Sequence, residues 1–152
     1  MASGGQRVLA INNLLANYCI GLDTKDLDLL RSVFTSDAEL DYSGVTAFKA
    51  VLTGADDIIN KVAPTIKDRH TQHALSTQRL TFEDDGDVCL ALTYFTMNGF
   101  IPDDGGGWTH TTVYGYYDDK LDQLSPGEWR ISKRTIHTFH PRVTNASATT
   151  TP

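Results

Sequence analysis

Residues 71–100 read TQHALSTQRLTFEDDGDVCLALTYFTMNGF, and the interpretation of this stretch decides the fold. Two long segments rich in Thr, Leu, Val, Tyr and Phe, residues 71–82 and 88–100, flank Asp84-Asp85-Gly86-Asp87, which has the composition of a hairpin turn. Strands joined so tightly can only be antiparallel neighbours. The chain continues in the same manner beyond them. A Pro102 to Gly107 loop leads to a third strand-like segment, Trp108 to Leu121, and Ser125-Pro126-Gly127 turns into a fourth, Glu128 to Phe139.

Upstream of the hairpin the period changes from two to that of a helix. Val8, Ile11, Leu15, Tyr18, Cys19 and Leu22 form one apolar face. Thr24 or Asp26 can cap a second helix carrying Leu27, Leu30 and Phe34 at helical spacing. Ala38 to Tyr42 alternates and can pair with Phe48 to Leu52 across Ser43-Gly44. Ala55-Asp56-Asp57-Ile58-Ile59 then opens a third helix, with acidic residues in its first turn and Pro64 limiting its length. The Ser-, Thr- and Ala-rich tail reads as mobile. The expectation is one α+β domain over residues 1–144, with a flexible tail over 145–152 and helices packed on one face of a curved, mostly antiparallel sheet.

Composition narrows the function. A net charge of −6 over 152 residues, with no basic patch, argues against a nucleic-acid partner. No apolar run reaches the length of a membrane span, and no basic-then-apolar leader pattern is seen. Cys19 and Cys89, without Cys/His pairs at metal spacing, read as buried free thiols in a reducing compartment. A cytoplasmic setting, no metal and no cofactor are expected.

Two polar residues stand where a polar residue needs a reason. Asp23 lies four positions past Cys19 and so continues the buried stripe of the first helix. His73 sits near the start of the first long strand. A carboxylate that orients an imidazole makes a general base for chemistry near neutral pH, if the fold joins them. The competing reading is a helix-end cap and an ordinary strand histidine.

Strand parity extends the candidate site. If His73 faces the helices, so do Leu75 and Thr77. On the next strand the choice is between Tyr94, Thr96 and Asn98, and Thr93, Phe95 and Met97. The first set mixes aromatic and polar groups as a small-molecule pocket does, and is taken as the pocket face. The second would suit a contact between subunits. On the last strand a bulge would bring Arg134 and His137 to one face. Arg134 could instead pair with Asp118 or Asp119, although those acidic residues read most simply as solvated turn charges.

Several segments carry a resemblance. Gly21-Leu22-Asp23-Thr24-Lys25-Asp26-Leu27-Asp28-Leu29-Leu30, Phe34-Thr35-Ser36-Asp37-Ala38, Thr71-Gln72-His73, Gly115-Tyr116-Tyr117-Asp118-Asp119 and Trp129-Arg130-Ile131 resemble, in this order, SnoaL-like, nuclear transport factor 2-like proteins. The resemblance implies a cone-shaped α+β barrel, a curved sheet wrapped around three to four helices with a pocket inside. Asp23-Thr24-Lys25-Asp26, Asp41-Tyr42 and Thr71-Gln72-His73 are similar to scytalone dehydratases. Asp23, His73 and Ser132-Lys133-Arg134 are similar to hexachlorocyclohexane dehydrochlorinases.

In both enzyme families an Asp-His dyad takes a proton from carbon, which casts Asp23 and His73 as catalytic. The resemblance further implies a carbonyl-polarising role for Tyr42, a place near the leaving group for Arg134 and a pocket-lining place for His137. It points Thr111 and Val113 inward, leaving His110, Tyr114 and Tyr116 on the outer face. Tyr18, Tyr94, Thr96 and Asn98 complete the expected substrate shell.

The chain departs from the dehydratase pattern at Leu22, where that family has a tyrosine, and at Asn98, where it has a histidine. The substrate therefore differs. The implied activity is a cofactor-independent lyase or isomerase of dehydratase type, acting on a small, hydrophobic, cyclic carbonyl compound. The alternatives are a polyketide or terpenoid cyclase, or a non-catalytic binding or assembly module. Aromatic residues on the outer sheet face predict a homodimer, or failing that a homotrimer.

Overall fold

Ser3 opens the first helix with a reciprocal cap: its hydroxyl accepts from Gln6 N, and the Gln6 side chain accepts from Ser3 N. The computed structural model describes residues 3–45, 50–83 and 85–139, and the backbone of 143–148. Helix α1 spans Gly4–Thr24 and buries Ile11, Leu15, Tyr18, Cys19 and Leu22, the stripe expected from their spacing. It stops at Lys25, which takes the left-handed conformation at φ 62°. Asp26 then caps α2 (Leu27–Ser32) by accepting from Leu29 N at 2.9 Å. Gly21 lets the two helices touch, since a Cβ there would lie 3.0 Å from Leu30 Cβ and Leu30 N.

Phe34 does not belong to α2, as its spacing had predicted, but begins β1 (Phe34–Asp41). The reason is tertiary: Ile131 N donates to Val33 O at 2.8 Å, and Phe34 pairs in parallel with Ile131. Strand β2 (Val51–Thr53) pairs antiparallel with β1, as Leu40 opposite Leu52 shows. The expected start of β2 at Phe48 lies outside the described residues. Helix α3 spans Ala55–Ile66 and runs through Pro64 to Ile66. The carbonyl that Pro64 leaves without a donor is that of Asn60, an exposed residue at which water can substitute.

The remaining strands are β3 (His70–Phe82), β4 (Val88–Pro102), β5 (Trp108–Ser125), β6 (Glu128–Thr138) and β7 (Val143–Ala148). The sheet order is β2-β1-β6-β5-β4-β3, and β7 pairs with β5. All pairings are antiparallel except β1 with β6. Three helices pack on the inner face, α1 against β3 and β6, α3 against β1 and β2. The sheet curves around them without closing: β2 and β3 remain its two edges, so the expected barrel is an open cone. Ile11, Leu15, Leu30, Leu40, Ile58, Leu121, Trp129 and Ile131 are fully buried between the layers.

The tail expected to be mobile from Asn145 forms part of β7 through Ala148. Strand β6 leaves β5 at Gly115, which frees the same edge of β5 over Trp108–Thr112; β7 occupies it. Residues 149–152 lie outside the described set. Cys19 and Cys89 are buried free thiols, each raised to about 11 by burial and therefore poor nucleophiles.

Candidate functional site

A cavity of about 250 Å³ opens between α1, α3 and the inner faces of β3 to β6. His73 lines it. Asp23, in the last turn of α1, meets β3 where that strand is an edge of the sheet. An edge strand has backbone donors with no neighbouring strand to accept them. Asp23 Oδ2 accepts from His73 N at 2.7 Å, and Oδ1 accepts from Thr71 Oγ1 at 2.9 Å. Asp23 Oδ1 also lies 2.6 Å from His73 Nδ1. One carboxylate thus fixes the strand and the ring together.

This contact sets the tautomer. An ionised carboxylate can only accept, so Nδ1 carries the proton and Nε2 presents its lone pair. Burial pushes Asp23 upward, but the hydrogen bonds from the His73 ring, the His73 backbone and Thr71, with the His73 charge, outweigh it and hold the carboxyl below its usual range. The His73 side chain is 10% exposed and that of Asp23 is 22% exposed, so the pair is shielded yet reachable from the cavity.

Tyr18 and Tyr42 also line the cavity, where burial raises both hydroxyls above their ordinary value and keeps them as protonated donors. Tyr117 joins them from β5, stacked on Phe95 at 4.4 Å. Arg134 is placed differently from expectation. Its side chain is fully buried and does not line the cavity; Nε and Nη2 each donate to Asp119 at 2.7 Å. Its guanidinium lies over the rings of Tyr18 and Tyr117, 4.0 Å from each centroid. Arg134 therefore stands behind the two tyrosines that face the cavity.

Burial pushes Asp119 up while Arg134 opposes that shift; burial would lower Arg134, but Asp119 outweighs it and raises the guanidinium. The forked geometry is that of a charged pair. Asp119, read from sequence as a solvated turn charge, is a core residue.

Four other expected site residues face away from the cavity. Tyr94, Thr96 and Asn98 lie on the outer face, whereas Thr93, Phe95 and Met97 face inward, with Phe95 and Met97 in the cavity lining. Pairing of β4 with β5 is regular from Val88 to Pro102, so the face that buries Cys89, Ala91 and Thr93 carries Phe95 and Met97 as well. The bulge in β3 between Leu75 and Gln78 is what brings His73 to that face. Near the turn Phe82 opposes Cys89, and continuing that register would set His73 opposite Asn98; the bulge slips it by one, and Met97 stands there instead. For the same reason Thr77 is exposed. Asn98 instead joins Gln72, His110 and Thr112 through hydrogen bonds of 3.0–3.1 Å.

His137 also points outward, stacked on Tyr116 at 4.4 Å. The bulge expected to turn it inward is absent, since β6 pairs regularly with β5 from Arg134 to Thr138. Thr138 lines the cavity in its place, together with Val113. The outward reading of Tyr114 agrees with the structure, and Tyr116 lies on the same face, where its ring packs against Tyr94 and Phe139.

Sequence reasoning missed Thr71, Phe95, Met97, Tyr117 and Thr138. Thr71 shares the parity of His73, and the greater hydrophobicity of the Phe95 set was an available signal. Among the described residues, no three His, Cys, Asp or Glu side chains converge in a way that could hold a metal. No described helix is long and apolar enough to cross a membrane.

The architecture recurs in solved structures. Hexachlorocyclohexane dehydrochlorinase LinA-type3 from Novosphingobium barchaimii LL02 is 20% identical, with 99% of each chain covered and a TM-score of 0.77. A protein provisionally named a scytalone dehydratase, from Novosphingobium aromaticivorans DSM 12444, is 22% identical over 91% of each chain, with a TM-score of 0.72. Kfla4162 from Kribbella flavida is 20% identical over 93% of this chain and 95% of its own, with a TM-score of 0.80. At such identities the likeness concerns the fold. Comparison with curated protein sequences finds no significant match. The model of the SnoaL-like domain matches residues 6–135, nearly the whole helix-and-sheet unit just described, and the chain belongs to that family.

Proposed function

We propose that this protein is a cofactor-independent lyase or isomerase that removes a proton from carbon next to the carbonyl of a cyclic compound. The observation that carries the reading is the 2.6 Å contact between Asp23 Oδ1 and His73 Nδ1 at one end of a largely apolar cavity. Nε2 of His73 takes the proton from carbon, and Asp23 stabilises the imidazolium that forms. The electron pair of the broken C–H bond moves onto the carbonyl oxygen, where Tyr42 and Tyr18 are the donors that line the cavity. In a dehydration that pair then returns to form the double bond as hydroxide departs. The imidazolium returns its proton to the hydroxide, and water leaves. In an isomerisation the same proton goes to another carbon.

Arg134 has no direct part in this scheme. Its fork is engaged by Asp119, and the tyrosine rings lie between it and the cavity. Its contribution is to hold Tyr18 and Tyr117 in place.

The test is a screen of cyclic β-hydroxy ketones for the growth of conjugated-enone absorbance, with His73→Ala as control. Turnover by the wild type that is lost in the variant supports the reading. Turnover that the variant retains would sink it.

Self-association belongs to the same proposal. Tyr94, Tyr116, His137 and Phe139 form a continuous aromatic cluster on the outer sheet face, with Tyr94 39% and Phe139 47% exposed. A homodimer that covers this cluster is expected. A lone 16.7 kDa species in light scattering at micromolar concentration would overturn it.

A further inference from the structure

The charged side chains at the mouth of the cavity are cationic, while the Asp23 carboxylate stands behind His73 at the other end. Lys61 and Arg69 are among its lining residues, and among the described residues no aspartate or glutamate lines it. In a chain with a net charge of −6, this is a local reversal of the overall field.

The arrangement follows from the two elements that carry these residues. Lys61, Thr65 and Arg69 recur every fourth residue along one side of α3 and the turn after it, and all three line the cavity. Arg69, Thr71 and His73 alternate along the chain leading into β3, and these three also line it. Four residues of extended chain place the Arg69 Cα at most roughly 13 Å from that of His73. Two long side chains reaching inward shorten that span to the size of one or two rings.

The two ends also differ in exposure. The dyad is largely buried, whereas Lys61 and Arg69 are exposed. Between them the lining is apolar, with Val62, Ile66, Phe95 and Met97. The cavity therefore has a closed end with a base, an apolar middle and an open, cationic mouth.

We infer that the mouth is a carboxylate-reading subsite: Lys61 and Arg69 receive an acidic substituent of the cyclic substrate while its carbonyl-bearing ring lies against His73. The inference deepens the function proposed above and rests on it for the cavity being the substrate's site. The substrate class becomes a cyclic keto acid. A neutral ring of the same shape fills the apolar middle but leaves the mouth unused.

Naphthalene-2-carboxylate and naphthalene-2-carboxamide have nearly the same shape and differ by one charge. Their binding is measured by calorimetric titration into the wild type and into the Lys61→Met/Arg69→Met double variant, at low and high salt. Both substitutions are at exposed positions, and the amide affinity reports any damage to the rest of the cavity. The wild type is expected to favour the carboxylate by about tenfold at low salt, as two partly solvated ion contacts would give. That preference should shrink as salt screens it and disappear in the double variant. Equal affinity of the wild type for both probes overturns the inference. So does a preference that survives in the double variant, or failure of the carboxylate to bind at millimolar concentration.

The measurement needs no turnover, so the two proposals fail separately. A charge preference in a protein that never abstracts a proton leaves the subsite standing and removes the lyase reading. An active enzyme without the preference does the reverse.

Discussion

His73→Ala is expected to lower proton abstraction by about 10²–10⁴-fold, the usual worth of a positioned base, with the fold intact. Asp23→Asn should be nearly as severe, and the geometry says why. Asp23 accepts from three donors, His73 N at 2.7 Å, Thr71 Oγ1 at 2.9 Å and the His73 ring at 2.6 Å. An asparagine has one acceptor oxygen and one donor group. If its NH₂ faces the ring, Nδ1 must accept, the proton moves to Nε2, and the lone pair facing the substrate is lost. If its NH₂ faces the backbone instead, the donor at His73 N is left opposed by another donor.

The double variant should cost about as much as the worse single change, because the two residues act as one unit. Rate and melting temperature, measured together on the three variants, separate a catalytic pair from a structural one. If the pair is architecture only, the variants lose stability, by roughly 1–3 kcal/mol for an unpaired buried group, and keep their rate.

The second large effect concerns stability. Arg134→Met is expected to destabilise the fold by about 3–5 kcal/mol, because it leaves the Asp119 carboxylate buried without its partner. Asp119→Leu should cost a similar amount for the converse reason. Replacing both together should restore much of the loss, since an apolar pair carries no desolvation penalty. Urea unfolding of the three variants measures this. Near-wild-type stability of Arg134→Met would show that the pair contributes little and would reopen a direct role for Arg134 at the cavity. The substitution should also reduce turnover indirectly, because the guanidinium packs against the rings of Tyr18 and Tyr117.

The elements themselves were legible in the order of the residues. The Asp-rich turn at 84–87, the Ser125-Pro126-Gly127 turn and the apolar stripe of α1 are local signals, encoded within a few residues of where they act. Asp23 and His73 were legible for a related reason: each is a polar residue at a position whose neighbours are being buried. That they meet at 2.6 Å follows from α1 ending against an edge strand whose outward N–H groups need an acceptor.

Pairing register was not legible. Alternation along β4 is consistent with either face inward. One bulge in β3 between Leu75 and Gln78 brought His73 to the face of Phe95 and Met97 and left Tyr94, Thr96 and Asn98 on the other. A slip of one residue reverses every side chain beyond it and leaves no mark in the composition of the strand. The same limit applied to His137, whose side depended on a bulge between Arg134 and His137, where β6 pairs regularly.

Three further features depended on partners distant in the chain. Phe34 left its helical pattern because Ile131 offered a strand to pair with, and β7 formed because β6 leaves an edge of β5 open. Asp119 and Arg134 are fifteen residues apart; Asp119 read as a solvated turn charge and Arg134 as a cavity residue, with their pairing only an alternative. Opposed across β5 and β6 on the inner face, each became the condition for burying the other. Local propensity and period are properties of a segment and can be read along it. Register, edge coverage and charge pairing are properties of two segments together, and they are settled only when those segments meet.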